Sequence, residues 1–163
     1  MTYLEYQSPC GTLLLAADSA KLCLCDWMTG PRHQHHLKRL HSLGTVNDSN
    51  DHSVLQRAVN QLDEYFAGKR EEFDMVLAPS GSDFQQSVWQ AIAEVPYGCV
   101  ISYKALACRV GNEKAVRAVA VATASNPISL FIPCHRIVGS QGRLTGYEGG
   151  LPAKQYLLTL EHK

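Results

Sequence analysis

The stretch SYKALACRVGNEKAVRAVAVATA, residues 102–124, decides the fold. Ser102 offers a helix N-cap ahead of Tyr103 to Arg109, Gly111 and Asn112 supply a turn, and Lys114 to Ala124 predict a second helix. Two short helices joined by a glycine turn read as a helix-turn-helix, and the small Ala107 lets them approach closely. The second helix carries Ala115, Ala118, Ala120, Ala122 and Ala124, so Arg117 is its only long cation beyond Lys114 at the start. A helix this smooth either packs in a core or lies in a narrow groove where one arginine can enter a base stack.

Downstream stands Pro133-Cys134-His135-Arg136, behind the apolar run Ile128 to Ile132 and ahead of Ile137 and Val138. Thiols react as thiolates, and neighbouring cations or a base lower their pKa, so Cys134 is the cysteine whose neighbours favour activation. None of Cys10, Cys23, Cys25, Cys99 and Cys108 is followed by both an imidazole and a guanidinium.

Upstream of the decisive stretch, Ser82 or Asp83 can cap a helix with an apolar face of Phe84, Val88, Ala91, Ile92 and Val95, ended by Pro96 to Gly98. Pro79 to Ser82 mark a boundary, giving units 1–80 and 81–163. In the first unit Tyr3 to Gln7, Thr12 to Ala17 and Leu22 to Trp27 predict an antiparallel meander. Val54, Leu55, Ala58, Val59, Leu62, Tyr65 and Phe66 predict a helix stopped at Gly68, and Phe73 to Leu77 one more strand. The histidine-bearing stretch Pro31 to Asp51 (His33, His35, His36, His41, with His52 beyond) lacks carboxylates or cysteines at ligand spacing and receives no function.

Composition is that of a globular chain: 163 residues, 45% hydrophobic and 18% charged. There is no apolar run of membrane length and no basic-then-apolar leader, so a soluble cytoplasmic protein is expected, nucleoid-associated if bacterial. Six cysteines without a paired framework point to a reducing compartment. Zero net charge hides an asymmetry: residues 1–80 carry 7 Lys+Arg against 10 Asp+Glu, and residues 81–163 carry 8 against 5. The C-terminal half is therefore the candidate for a polyanionic partner.

Taken in order, Tyr103 with Leu106-Ala107, Arg117-Ala118-Val119, Ser125-Asn126-Pro127, Ile132 to Arg136, Thr145-Gly146-Tyr147 with Gly149-Gly150, and Lys154 with Leu157-Leu158 and Glu161 resemble the 6-O-alkylguanine-DNA alkyltransferases, the methylated-DNA protein-cysteine methyltransferases. The strong motifs lie within residues 84–161. The resemblance implies an N-terminal α/β domain with a ribonuclease-H-like antiparallel sheet, then a C-terminal winged helix-turn-helix domain.

It also implies direct-reversal DNA repair. Cys134 takes a methyl or other alkyl group from the 6-oxygen of guanine, with the 4-oxygen of thymine as a further target, and acts once, without a cofactor or metal. Its relay maps onto Cys134, a water, His135 as base and Glu161 as orienter. Tyr103 donates to a ring nitrogen of the leaving guanine, and backbone groups near Cys134, Ile137 and Glu148 contact base edges. The partner implied is double-stranded DNA containing 6-O-alkylguanine, met by a monomer with no membrane contact. Arg117, Tyr103, Lys114, Ala115 and Arg136 form the DNA side, and Arg117 fills the gap left by a flipped base. Asn126, Ile137, Tyr147, Glu148 and Lys154 form the pocket, with Asn126 bracing the turn before the active-site strand.

Three departures stand out. Glu148 replaces a usually small residue and sets a carboxylate at the pocket, where it disfavours large alkyl groups. Ala120-Val121 replace a smaller pair. Cys10, Cys23 and Cys25 do not match the zinc spacing of some relatives, and Cys23-x-Cys25 reads as one face of a buried strand. Two other function classes stay open: a lesion binder that flips alkylguanine without transfer, and a cysteine hydrolase on Cys134 and His135.

Overall fold

The computed structural model describes residues 1–28, 47–48 and 52–162, with isolated positions 34, 38 and 41. β1 (Thr2–Ser8), β2 (Gly11–Ala17) and β3 (Leu22–Trp27) form the expected meander, both neighbouring pairs antiparallel. The Asp18 carboxylate accepts the amides of Ala20 and Lys21 at 2.9 and 2.7 Å and closes the second turn. A two-residue β4 (Asn47–Asp48), inside the stretch given no function, adds to β1 in parallel, so the sheet is mixed with order β3-β2-β1-β4. His33, His35 and His36 lie outside the described residues, and His41 is exposed.

Helix α1 (Ser53–Phe66) lays Leu55, Ala58, Leu62 and Tyr65 into the core, and Gly68, at φ 74°, ends it by donating to the Tyr65 carbonyl. The strand expected over Phe73 to Leu77 is a single bridge instead: Leu22 donates to the Val76 carbonyl and Ala78 donates to Leu22, each at 2.9 Å. The Gln61 side chain takes both main-chain groups of Asp74, at 2.9 and 3.1 Å, which stops the ladder there.

In the second half, α2 (Asp83–Ala93) opens with a capping box in which the Ser82 hydroxyl accepts from the Gln85 amide while the Gln85 side chain accepts from the Ser82 amide. β5 (Ile101–Ser102) leads into α3 (Tyr103–Arg109), capped by the Ser102 hydroxyl at 3.0 Å from the Ala105 amide. Gly111, at φ 85°, donates to Cys108 and Asn112 donates to Ala107, the paired bonds of a left-handed helix stop. α4 (Val116–Ala124) starts two residues later than expected, because the Asn112 carboxamide accepts the Lys114 amide at 3.2 Å and holds Lys114 in the turn. α5 (Leu151–Glu161) closes the fold.

The larger apolar cluster runs from Leu13, Leu15 and Trp27 through Leu55 and Tyr65 to Val88, Ile92, Leu106, Val119, Ile128 and Leu157, so both halves contribute to it. Part of the tie is main chain: Cys25 donates to the Pro127 carbonyl at 2.9 Å and accepts from the Ser129 amide at 2.7 Å, which docks the segment before the thiol on the outer edge of β3. No described helix is long and apolar enough to cross a membrane.

Candidate active site

The run Ile128 to Ile132 is a compact turn rather than a strand, with Leu130 at φ 73° and Ile132 donating back to Ile128. Buried Asn126 braces it, donating to the Ile132 carbonyl at 2.8 Å and accepting the Ile128 amide at 3.0 Å. The chain then enters a 3₁₀ turn, Cys134–Arg136, followed by β6 (Ile137–Val138), which pairs in parallel with β5 and so places the thiol beside Tyr103 at the start of α3.

Cys134 is 7% exposed, at a cavity of about 780 Å³. Tyr103, Arg117, Asn126, Tyr147 and Glu148 share its lining, so α4 forms one wall and the glycine-rich loop before α5 another. Burial pushes the thiol up to about 11, with the charges of Glu148 and Asp26 adding to the rise and the Asn126 hydrogen bond and Lys154 opposing it. The activation expected from flanking cations is therefore not present at rest, since Arg136 is turned away and the thiol has to lose its proton to a base.

The candidate for that base stands next in the chain. His135 is fully buried, and its Nε2 lies 2.7 Å from Glu161 Oε2, while its Nδ1 has no hydrogen-bond partner among the described residues. Burial holds the imidazole below its ordinary pKa despite the upward pull of Glu161, leaving it neutral near pH 7. With Nε2–H donated to the carboxylate, Nδ1 presents its lone pair. Burial alone would raise Glu161, but hydrogen bonds from His135, Arg136 and Tyr65 hold its carboxyl well below the usual carboxylate range.

Arg136, expected on the DNA side, points inward. It clamps Glu161 through Nε and a second guanidinium nitrogen at 2.8 and 3.0 Å, and a third nitrogen donates to the Val95 carbonyl at 2.7 Å. Its guanidinium also stacks 5.7 Å from the centroid of Tyr97. The buried carboxylate requires a cationic partner, and Arg136 supplies one bidentately.

Ile137 and Lys154 lie behind the pocket wall. The Lys154 ammonium, fully buried, donates to the carbonyls of Ile137 at 2.6 Å and Thr145 at 3.1 Å, and burial lowers it to about 8. It joins β6 to the loop and sits 6.0 Å from the Tyr103 ring centroid. The Tyr103 hydroxyl, raised above its ordinary pKa by burial, lies 3.5 Å from the Thr145 carbonyl. Lys114 is exposed and Ala115 precedes α4; neither lines the cavity. Arg117, Ala118 and Val121 form the exposed face of α4, Val121 being 67% accessible.

Three contributors were not singled out from sequence. Tyr65 donates to Glu161 Oε2 at 2.6 Å. Trp27 donates to the Tyr147 hydroxyl at 3.2 Å and packs edge-on against its ring. The Val95 carbonyl receives Arg136. A tyrosine or tryptophan on a core face needs a partner for its polar atom, and that is the one signal Tyr65 and Trp27 carry in the sequence, while the main-chain carbonyl of Val95 carries none.

Comparison with known proteins adds the following. Residues 83–163 match the model of the 6-O-methylguanine DNA methyltransferase DNA-binding domain, and residues 1–79 match that of its ribonuclease-like domain. The methylated-DNA–protein-cysteine methyltransferase of Methanosarcina barkeri is 43% identical over 161 residues, spanning 99% of this chain and 97% of its own length. That of Mycobacterium tuberculosis is 40% identical, spanning 98% and 91%. Among solved structures, M. tuberculosis OGT in complex with DNA superposes with a TM-score of 0.87 at 38% identity, covering 99% of this chain and 93% of that one.

Proposed function

Since the chain belongs to the 6-O-methylguanine DNA methyltransferase family, we propose that Cys134 is the acceptor in direct reversal of 6-O-alkylguanine in duplex DNA. The observation that carries this reading is the imidazole next to the thiol, pinned at Nε2 by Glu161 with Nδ1 open to a proton.

The thiol proton passes through a bridging water to His135 Nδ1, and Glu161 stabilises the imidazolium that forms. Sγ attacks the alkyl carbon, the carbon–oxygen bond breaks, and its electron pair leaves with guanine. Tyr103 donates a proton to a ring nitrogen, so guanine departs neutral, and solvent returns a proton to the phenolate. A thioether offers water no good leaving group. The chain therefore acts once.

A base inside a duplex must leave the stack to reach a thiol this buried. The exposed small-residue face of α4 supports a helix-turn-helix docking in the minor groove, with Arg117 at the vacated position. We read residues 1–80 as the scaffold and 81–163 as the DNA-binding and transfer unit. Six unpaired thiols support a cytoplasmic site of action, with the chain working as a monomer.

The test is incubation with a duplex bearing methyl-labelled 6-O-methylguanine, followed by intact mass and peptide mapping. One methyl on Cys134 per chain is expected. Label left on bound DNA would indicate a lesion binder, and label released to solution a hydrolase.

A further inference from the structure

We propose that Tyr65, a residue of α1 in the N-terminal half, is a positioning residue of the relay, setting the proton affinity of His135 through Glu161. The inference deepens the alkyltransferase reading and rests on it for its rate measurement alone.

Three donors converge on Glu161 Oε2: His135 Nε2 at 2.7 Å, the Tyr65 hydroxyl at 2.6 Å and an Arg136 nitrogen at 3.0 Å. The other oxygen, Oε1, receives only Arg136 Nε at 2.8 Å among the described residues. Arg136 already fixes the carboxylate plane by its bidentate grip, so Tyr65 is not needed to hold Glu161 in place. What the phenol adds is a share of the charge on the very oxygen that faces the imidazole. A carboxylate oxygen that accepts a short hydrogen bond from elsewhere is a weaker acceptor for its next donor and stabilises an imidazolium less.

The consequence is a base that rests neutral. The groups facing this cluster are few: His135 and Arg136 from the 3₁₀ turn, Tyr65 from α1, Tyr97 from the segment after α2, with Lys154 of α5 acting on His135. Arg136 and Lys154 oppose protonation of His135, and Glu161 favours it. Tyr65 tempers the one group that pulls the imidazole towards its charged form. Burial and the neighbouring carboxylate keep the phenol itself protonated, so it remains a donor throughout.

Tyr65→Phe in the full-length chain removes only the hydroxyl and keeps the ring in its aromatic cluster with Phe66, Phe73 and Tyr97. Imidazole nitrogen NMR of His135, followed between pH 8 and pH 5 without DNA, is expected to show protonation shifted up by about 1 pH unit. Because transfer needs neutral His135, the acid limb of the single-turnover rate with methylated duplex moves up by the same amount. The plateau above it stays within about threefold. A 3-fluorotyrosine at position 65, a stronger donor of the same shape, shifts both readouts the other way and serves if the phenylalanine variant folds poorly. An unmoved His135 titration in either variant overturns the proposal, as does a uniform rate loss without a change of pH profile. If the wild-type chain transfers no methyl, the alkyltransferase reading fails, and the NMR titration still decides the role of Tyr65.

Discussion

Replacing Glu161 by Gln tests the cluster at its most heavily used atom pair. Glu161 is 4% exposed and takes hydrogen bonds from His135, Arg136 and Tyr65. A glutamine keeps the size but not the charge, so the buried Arg136 guanidinium loses its counter-ion and one amide NH₂ faces donors. Breaking a buried pair by removing one partner costs about 3–5 kcal/mol, which for a chain of this size lowers the melting temperature by roughly 6–20 °C. The pH dependence follows from the depressed carboxyl. Its stabilisation is fully present above the unfolded glutamate value of about 4.3 and is lost as pH falls below that towards the folded value. Calorimetry of both proteins from pH 7 to pH 3 should therefore show a gap that is widest near neutrality and narrows below about pH 4. Single-turnover transfer at pH 7 should fall by about 10- to 100-fold, because the amide oxygen can still accept Nε2–H but no longer balances an imidazolium, while duplex affinity stays unchanged. A melting shift under about 2 °C, or a gap that persists unchanged to pH 3, would refute the account of Glu161 as the charge that this buried cluster is built around.

Cys134→Ser should abolish methyl uptake yet leave duplex binding intact, as read by intact mass and a gel shift; label on another cysteine, or several turnovers per chain, sinks the one-use mechanism. Arg117→Ala should slow repair in saturating duplex far more than reaction with free benzylguanine, which needs no flipping; equal losses on both would make Arg117 a structural residue. Gly149→Ala brings a Cβ to 2.7 Å from the Trp27 ring, an overpacking expected to cost about 1–3 kcal/mol, and a melting temperature equal to wild type would show that the loop moves aside freely.

Local signals carried much of the architecture. Ser82 with Gln85, Ser102, and Gly111 mark their helix boundaries by chemistry that acts within a few residues, and all three do so in the structure. The apolar runs Leu13 to Ala17 and Leu22 to Trp27, bounded by turn residues, likewise suffice for a meander. The errors have non-local causes. Phe73 to Leu77 has strand composition, but Gln61, from another element, occupies the main chain of Asp74. Ile128 to Ile132 is apolar because it is buried, not because it is extended. At the site, adjacency in sequence made Arg136 look like a surface cation and Cys134 like a thiol activated by its neighbours. In three dimensions Arg136 is committed to Glu161, and burial outweighs the flanking charges at the sulfur. Tyr65 was visible only as one member of a helical stripe, since nothing local reveals what its hydroxyl meets.

The docking of Pro127 and Ser129 on Cys25 has a consequence for synthesis of the chain. The N-terminal meander leaves the ribosome early, and the outer edge of β3, bonded at Leu22 by Val76 and Ala78, stays open at Cys25 until residues from the last third of the chain arrive. Such an edge invites pairing with another chain. The nascent protein is therefore most prone to aggregation in the interval before the segment leading to Cys134 has been made, and the same late pairing that ends this exposure is what gives that thiol its final place.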